Sequence, residues 1–309
     1  MSTPNGPVVV SLPALDWVED LGPLDGVEAV VADLREMPER AGDIEVCVPP
    51  YMQRYDRTLF ARMPRLRLVQ VLTAGYDGLP DVLPKGVALA NAVGVHDTST
   101  AELAVALTLA ALRDIPRFVR DAQTGTWGRP RVVDALADRR VVVLGYGAIG
   151  RAVAARLHPF EVTIDAVASR ARPGDAIVPE VHGVADLPAL LPRADVLIVV
   201  VPLSPSTHHL VDDEVLAALP DGALVVNVAR GKVADTEAIL RHAGRLRFAL
   251  DVTDPEPLPP EHPLWHEPSV LISPHTGGPT TAFRPRAVWF LRDQLTAYAS
   301  TRTVPHIVA

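Results

Sequence analysis

Four apolar residues, Val141-Val142-Val143-Leu144, pass directly into Gly145-Tyr146-Gly147-Ala148-Ile149-Gly150, and a helical stretch follows. No other segment restricts the fold so tightly. A strand that enters a G-x-G-x-x-G turn and leaves it as a helix belongs to a parallel sheet with helices on its faces. Gly145 allows the tight turn, Gly147 lets a pyrophosphate approach the backbone, and Gly150 lets helix and strand pack closely. The helix start, with the backbone of Tyr146, Ala148 and Ile149, presents N–H groups to phosphate. The turn reads as a dinucleotide site, because the required strand precedes it and the required helix follows; the plainer alternative is an ordinary Gly-rich βα turn.

The same alternation of short apolar runs and helical stretches continues along the chain, which is the pattern of α/β domains. Strands are expected at 8–10, 27–31, 45–48, 66–72 and 87–90, then at 141–144, 162–167, 196–201, 224–228, 248–251 and 270–273. Ser99-Thr100-Ala101-Glu102 has the spacing of a capping box opening a long apolar helix to about Leu112. Ile115-Pro116 is expected to end that helix, and the polar residues from Arg120 to Arg139 to form a surface loop. A last helix is expected near Arg284–Tyr298. With 309 residues, two domains of ordinary size are expected.

Composition narrows the function. Hydrophobic residues make up 48% and charged residues 21%, enough to bury real cores. The net charge of −8, with no basic stripe, argues against nucleic acid and anionic membrane as partners. Cys47 is the sole cysteine, so an intrachain disulfide and a Cys-rich metal site are both excluded. Residues 1–13 lack the charged and apolar regions of a signal peptide, and no apolar run is long enough to span a bilayer. The expected address is the cytoplasm. His208-His209 and His262/His266 lack the accompanying ligand pattern of a metal site and are expected to be surface or packing residues.

Three segments that each follow an apolar run carry the chemistry. They are Asn227-Val228-Ala229-Arg230-Gly231, Asp251-Val252-Thr253-Asp254-Pro255-Glu256-Pro257, and Ser273-Pro274-His275-Thr276-Gly277-Gly278. Together they bring Arg230, Glu256 and His275 to one edge of a sheet. A guanidinium, a carboxylate and an imidazole suffice to hold a 2-oxo acid and move a proton. The strand expected at 162–167 ends without the carboxylate that would accept from an NAD ribose. Asp165 comes too early, and Ala168-Ser169-Arg170-Ala171-Arg172 follows. Arg170, beside Ser169, can pair with a 2′-phosphate, which favours NADPH over NADH; otherwise Arg170 and Arg172 are solvated loop residues and either cofactor serves.

Taken in order, these motifs resemble the D-isomer-specific 2-hydroxyacid dehydrogenase family over essentially the whole chain. The matching stretches are 73–80, 91–116, 145–150, 227–231, 250–265 and 273–278. Asp251-Val252-Thr253 with Pro255-Glu256-Pro257-Leu258-Pro259 is most similar to the glyoxylate/hydroxypyruvate reductase branch. The resemblance implies two Rossmann-like α/β domains, a discontinuous flavodoxin-like substrate domain of 1–98 with 282–309 and a doubly wound nucleotide-binding domain of 99–281, with a cleft between them. It implies that Arg230 holds the substrate carboxylate and 2-oxo oxygen, that His275 is the acid/base, and that Glu256 orients His275. Ala74 and Gly75 would offer backbone N–H groups to the carboxylate, with Tyr51 walling the pocket. Pro202, Thr207, Val228, Ala229 and Asp251 would line the cofactor, Asp251 near the nicotinamide carboxamide. The partner expected besides the 2-oxo or 2-hydroxy acid is a second copy of the chain, a homodimer through the nucleotide domain. Trp127 would either reach the partner's site or pack at that interface. The same fold also serves as a dinucleotide-sensing corepressor, so a binding scaffold is the alternative to an enzyme.

Overall fold

The computed structural model describes residues 6–309. Met1–Asn5, which the sequence reading assigned to the first domain and to its start without a signal peptide, lie outside the described residues. The chain divides into two compact units: the part up to His96 with Thr281–Ala309, and Asp97–Thr280. The crossings fall at 96/97 and 280/281, where the sequence suggested 98/99 and 281/282.

The first unit holds a five-stranded parallel sheet of β1 (Val8–Leu12), β2 (Val27–Val31), β3 (Val46–Cys47), β4 (Leu68–Gln70) and β5 (Ala88–Ala90). Its order is β2-β1-β3-β4-β5, the flavodoxin-like arrangement. Strand residues alternate between two apolar layers. Val8, Val10 and Leu12 pack with Trp17, Phe283 and Leu291 on one face, while Val9, Cys47 and Val69 pack with Phe60 and Ile44 on the other. The helix Phe283–Thr301 belongs to the first layer and buries Phe290, Leu291 and Leu295. Residues at the end of the chain pair with β5: the Val308 N–H donates to Leu89, and Ala309 accepts from the Leu89 N–H.

The second unit holds β6 (Arg140–Leu144), β7 (Thr163–Ala168), β8 (Arg172–Pro173), β9 (Glu180–Gly183), β10 (Val196–Val199), β11 (Leu224–Asn227), β12 (Arg247–Leu250) and β13 (Val270–Ile272). The order is β13-β12-β11-β10-β6-β7-β9-β8, parallel throughout except for β8 against β9. Strands covered on both faces read as unbroken apolar runs. Val142, Leu144, Leu197 and Val199 face one layer, and Val141, Val143, Val196 and Ile198 face the other.

Three local expectations are corrected. The long helix begins at Asp97, so Ser99 sits inside it and no capping box forms. Ser99 is buried and its hydroxyl pairs with Thr280 Oγ1 at 2.8 Å, while Glu102 pairs with Arg156. A second helix, Ile115–Gln123, occupies the start of the expected loop. Pro116 lies in its first turn, where a missing N–H breaks no helical bond, so Ile115-Pro116 opens a helix after the long one has ended at Leu112. The hairpin of β8 and β9 was not anticipated, because strands of two and four residues carry no readable period. Among the described residues no helix is long and apolar enough to cross a membrane.

Candidate active site

Strands β11, β12 and β13 are neighbours in register, with Asn227 opposite Leu250 and Leu250 opposite Ile272. Their carboxyl ends therefore stop at one level, and the three chemistry-bearing segments leave from the same edge. Open α/β sheets bind ligands at that edge.

Each segment is shaped by its own side chains. Asn227 is buried at the end of β11; its Oδ1 accepts from the Ala229 N–H at 3.0 Å and its Nδ2 donates to the Arg230 carbonyl at 3.1 Å. This pair of hydrogen bonds closes a turn that delivers Arg230 after buried Val228 and Ala229. A Cβ on Gly231 would overlap the carbonyl oxygen of Thr253. Glycine at this position lets the Arg230 turn lie directly against the segment that carries Glu256. Thr236 Oγ1 donates to the Asp254 carbonyl at 2.8 Å and holds the same junction from the other side.

His275 lies in the left-handed region, with φ +51°. Asp251 holds that turn. It is 2% exposed, its Oδ1 accepts from Ser273 Oγ at 2.6 Å and from the Thr276 N–H at 2.8 Å, and its Oδ2 accepts from the Gly277 N–H at 2.9 Å. The His275 N–H donates to the Asp251 carbonyl at 2.8 Å. Bonds on both sides of His275 thus fix a backbone conformation that an L residue seldom adopts.

The imidazole Nδ1 of His275 lies 2.6 Å from Glu256 Oε1. A carboxylate at this distance fixes Nδ1 as a protonated nitrogen and leaves Nε2 as the ring's other nitrogen for a further partner. The hydrogen bond that His275 donates to Glu256 holds the His275 pKa above its ordinary value, against partial burial and the Arg230 charge. The same bond holds the Glu256 carboxyl below its ordinary value. The two shifts agree on a pair that favours imidazolium beside carboxylate. Asn227, Asp251 as a brace, and Ser273 were not singled out for these roles from sequence. Their only sequence signal is a small polar residue immediately after an apolar strand.

The phosphate turn fits its expected ligand. Gly145 has φ +112°, and a Cβ on Gly150 would overlap the Gly145 carbonyl oxygen. A Cβ on Gly147 would meet nothing within 4 Å, so the space beside the turn is open. Gly147 is the N-cap of the helix Ala148–Leu157 and offers no side-chain cap. Tyr146 is buried, and its hydroxyl donates to Asp175 at 2.9 Å. At the end of β7, Ser169 and Arg170 are exposed. Arg172 is committed elsewhere: its Nη2 donates to the Tyr146 carbonyl at 2.6 Å. Asp165 pairs with Arg140 at 2.8 Å inside the sheet. Thr207 Oγ1 donates to the Pro202 carbonyl at 2.6 Å and closes the loop after β10.

In the first unit, the loop after β4 has a distinctive hydrogen-bond pattern. Four consecutive carbonyls are engaged. Leu72 accepts from His96 Nε2 at 2.7 Å, Thr73 from the Ala92 N–H at 2.9 Å, Ala74 from Asn91 Nδ2 at 2.7 Å, and Gly75 from Thr73 Oγ1 at 2.6 Å. Among the described residues no acceptor takes the N–H groups of Ala74 and Gly75. Thr73, Gly75 and Tyr51 line a cavity of about 250 Å³. Tyr51 stacks on Phe283 with ring centroids 3.8 Å apart.

Residues 105–277 match the family model for the NAD binding domain of D-isomer specific 2-hydroxyacid dehydrogenases. A glyoxylate reductase of Thermofilum pendens is 30% identical over 266 residues, 82% of this chain and 78% of the relative. A D-isomer specific 2-hydroxyacid dehydrogenase of Xanthobacter autotrophicus, solved with NADPH and MES, superposes with a TM-score of 0.83 at 28% identity, covering 99% of this chain and 98% of that one. An NADPH-dependent glyoxylate/hydroxypyruvate reductase of Sinorhizobium meliloti, solved with NADP and malonate, gives a TM-score of 0.79 at 26% identity over 99% and 97%.

Proposed function

The chain belongs to the D-isomer specific 2-hydroxyacid dehydrogenase family, and from that premise we propose that it reduces a small 2-oxo acid, glyoxylate or hydroxypyruvate first, to the D-2-hydroxy acid with NADPH. The observation that carries this reading is the His275–Glu256 pair at 2.6 Å on the strand edge that also delivers Arg230. The names of the Thermofilum and Sinorhizobium relatives point to the same substrates.

When bound, the nicotinamide supplies the hydride. In the second unit Arg230 pairs with the substrate carboxylate and the 2-oxo oxygen; in the first, the N–H groups of Ala74 and Gly75 are donors for a carboxylate. Tyr51 walls the side of the substrate. His275 gives the Nε2 proton to the 2-oxo oxygen as charge develops there, and Glu256 stabilises the imidazole orientation and its charged form. Residues 145–150 cradle the pyrophosphate, Pro202, Thr207, Val228 and Ala229 line the dinucleotide, and Asp251 lies near the carboxamide. Arg170 reads the 2′-phosphate with Ser169 beside it.

A second copy of the chain completes the assembly. Ile115, Phe118 and Val119 on one short helix, with Trp127 and Val132 after it, are all exposed apolar side chains in a single stretch, and such a patch suits a homodimer interface.

The test is NADPH oxidation followed with a panel of 2-oxo acids. Turnover of glyoxylate or hydroxypyruvate is expected; tight NADPH binding without turnover of any would favour a corepressor-like scaffold instead. In the same assay Arg170→Ala is expected to raise KM for NADPH by about tenfold, one charge-assisted contact, and to leave NADH nearly unchanged. Equal effects on both cofactors would remove Arg170 from 2′-phosphate recognition.

A further inference from the structure

The loop Leu72–Gly75 owes its conformation to side chains outside it. A loop whose N–H groups wait for an anion is in competition with itself, because its own carbonyls can turn the same way and repel the ligand. Here each of the four carbonyls has a donor, and two of those donors are side chains from the segment after β5, Asn91 and His96.

Both side chains are buried, at 8% and 5% exposure, and each leaves its other polar atom without a partner: Asn91 Oδ1 and His96 Nδ1. An unmet buried acceptor costs stability. Native proteins seldom keep such groups without a reason. An apolar residue of similar size would avoid the unmet acceptor, yet would release the carbonyl. The two residues that hold the loop are also two of the few that carry this cost. Asn91 has the more direct place, since its amide holds the carbonyl of Ala74, whose own N–H and that of Gly75 are the unaccepted pair.

We infer that Asn91 is a positioning residue for substrate, fixing the Ala74 carbonyl so that the Ala74 and Gly75 N–H groups stay turned toward a carboxylate. The inference rests on the 2-oxo acid reading above and gives that reading a residue it did not contain. It acts through the backbone of Ala74 and touches neither hydride nor proton transfer. Its loss therefore belongs in substrate affinity, with kcat and cofactor affinity retained.

The experiment compares the full-length protein with Asn91→Ala and Asn91→Asp, measuring KM for glyoxylate, kcat, KM for NADPH and binding of oxamate, a non-reducible 2-oxo acid analogue. Asn91→Ala is expected to raise KM for glyoxylate and weaken oxamate about tenfold, the effect of one lost hydrogen bond of ordinary strength. KM for NADPH stays within about twofold. Asn91→Asp supplies a readout that general destabilisation does not mimic. Its ionised carboxylate has no proton to donate to the Ala74 carbonyl, and its protonated form has one. Oxamate affinity of this variant, relative to wild type at each pH, is expected to recover as pH falls through the titration of residue 91. Unchanged KM and oxamate affinity in both variants would overturn the inference, as would a uniform loss of kcat and both KM values with no pH recovery. A wild type that neither turns over a 2-oxo acid nor binds oxamate would overturn the functional reading and the role of Asn91 with it.

Discussion

At the scale of single residues the site is a problem in holding one proton at the right place. His275 keeps its proton to higher pH than an ordinary histidine because Glu256 accepts from it. With His275 as the proposed acid, the protonated imidazole is the active form, so the rate is expected to be sustained through the ordinary histidine range and to fall as pH rises through the raised pKa. Glu256→Gln replaces the charged hydrogen-bond acceptor that raises it with a neutral one, and the descending limb of the pH profile then moves to lower pH. An unmoved limb would dissociate Glu256 from the titration. His275→Ala is expected to lower kcat by about 10²–10⁴-fold, the range of general acid catalysis, with NADPH affinity retained by fluorescence titration. The meeting of the Arg230, Glu256 and His275 segments at one strand edge was legible because each follows an apolar strand. The residues that brace them were not. Asn227 closes a turn, and Asp251 accepts four bonds from the Ser273–Gly277 turn, and nothing in a list of residue types states which way a backbone N–H faces. The pinned carbonyls of Leu72–Gly75 were hidden for the same reason.

At the scale of elements, the strands that could be read were those buried on both faces, where the apolar run is continuous, as in Val141–Leu144 and Val196–Val199. Their ends slipped by a residue or two, since burial fades gradually where the chain leaves the sheet. The helix start at Asp97 escaped because Ser99 meets Thr280 instead of capping; a tertiary partner displaced a local one. The junction of the Arg230 and Glu256 segments is the tightest point between elements at the site, and it turns on Gly231. Gly231→Ala places a Cβ against the Thr253 carbonyl. The two segments must separate, at a cost of about 1–3 kcal/mol typical of overpacking. Thermal melting is expected to show the lower Tm and steady-state assay a larger loss in kcat/KM than the stability change accounts for. A normal kcat/KM with a normal Tm would mean the junction yields without consequence.

At the scale of the whole molecule, two predictions concern assembly and autonomy. If the exposed row Ile115, Phe118, Val119 covers a second copy, light scattering is expected to report twice the chain mass for the wild type and a single chain for Phe118→Asp. A wild-type monomer would leave that row unexplained by self-association. The second unit is contiguous, Asp97–Thr280, and has apolar layers on both faces of its sheet, so a fragment of these residues is expected to unfold cooperatively by circular dichroism. A fragment ending at His96 is expected not to, because one layer of its core is supplied by Phe283, Phe290, Leu291 and Leu295. The two successive βα series of the sequence suggested a divided chain; how much of the first core waits on the last helix was not readable from them. That arrangement has a consequence in time. During synthesis the first sheet emerges from the ribosome early but stays partly uncovered on one side while roughly two hundred further residues are made, a matter of tens of seconds at ordinary elongation rates. The domain born first is thus finished last, and in that interval its bare face is the part of the nascent chain most in need of a chaperone.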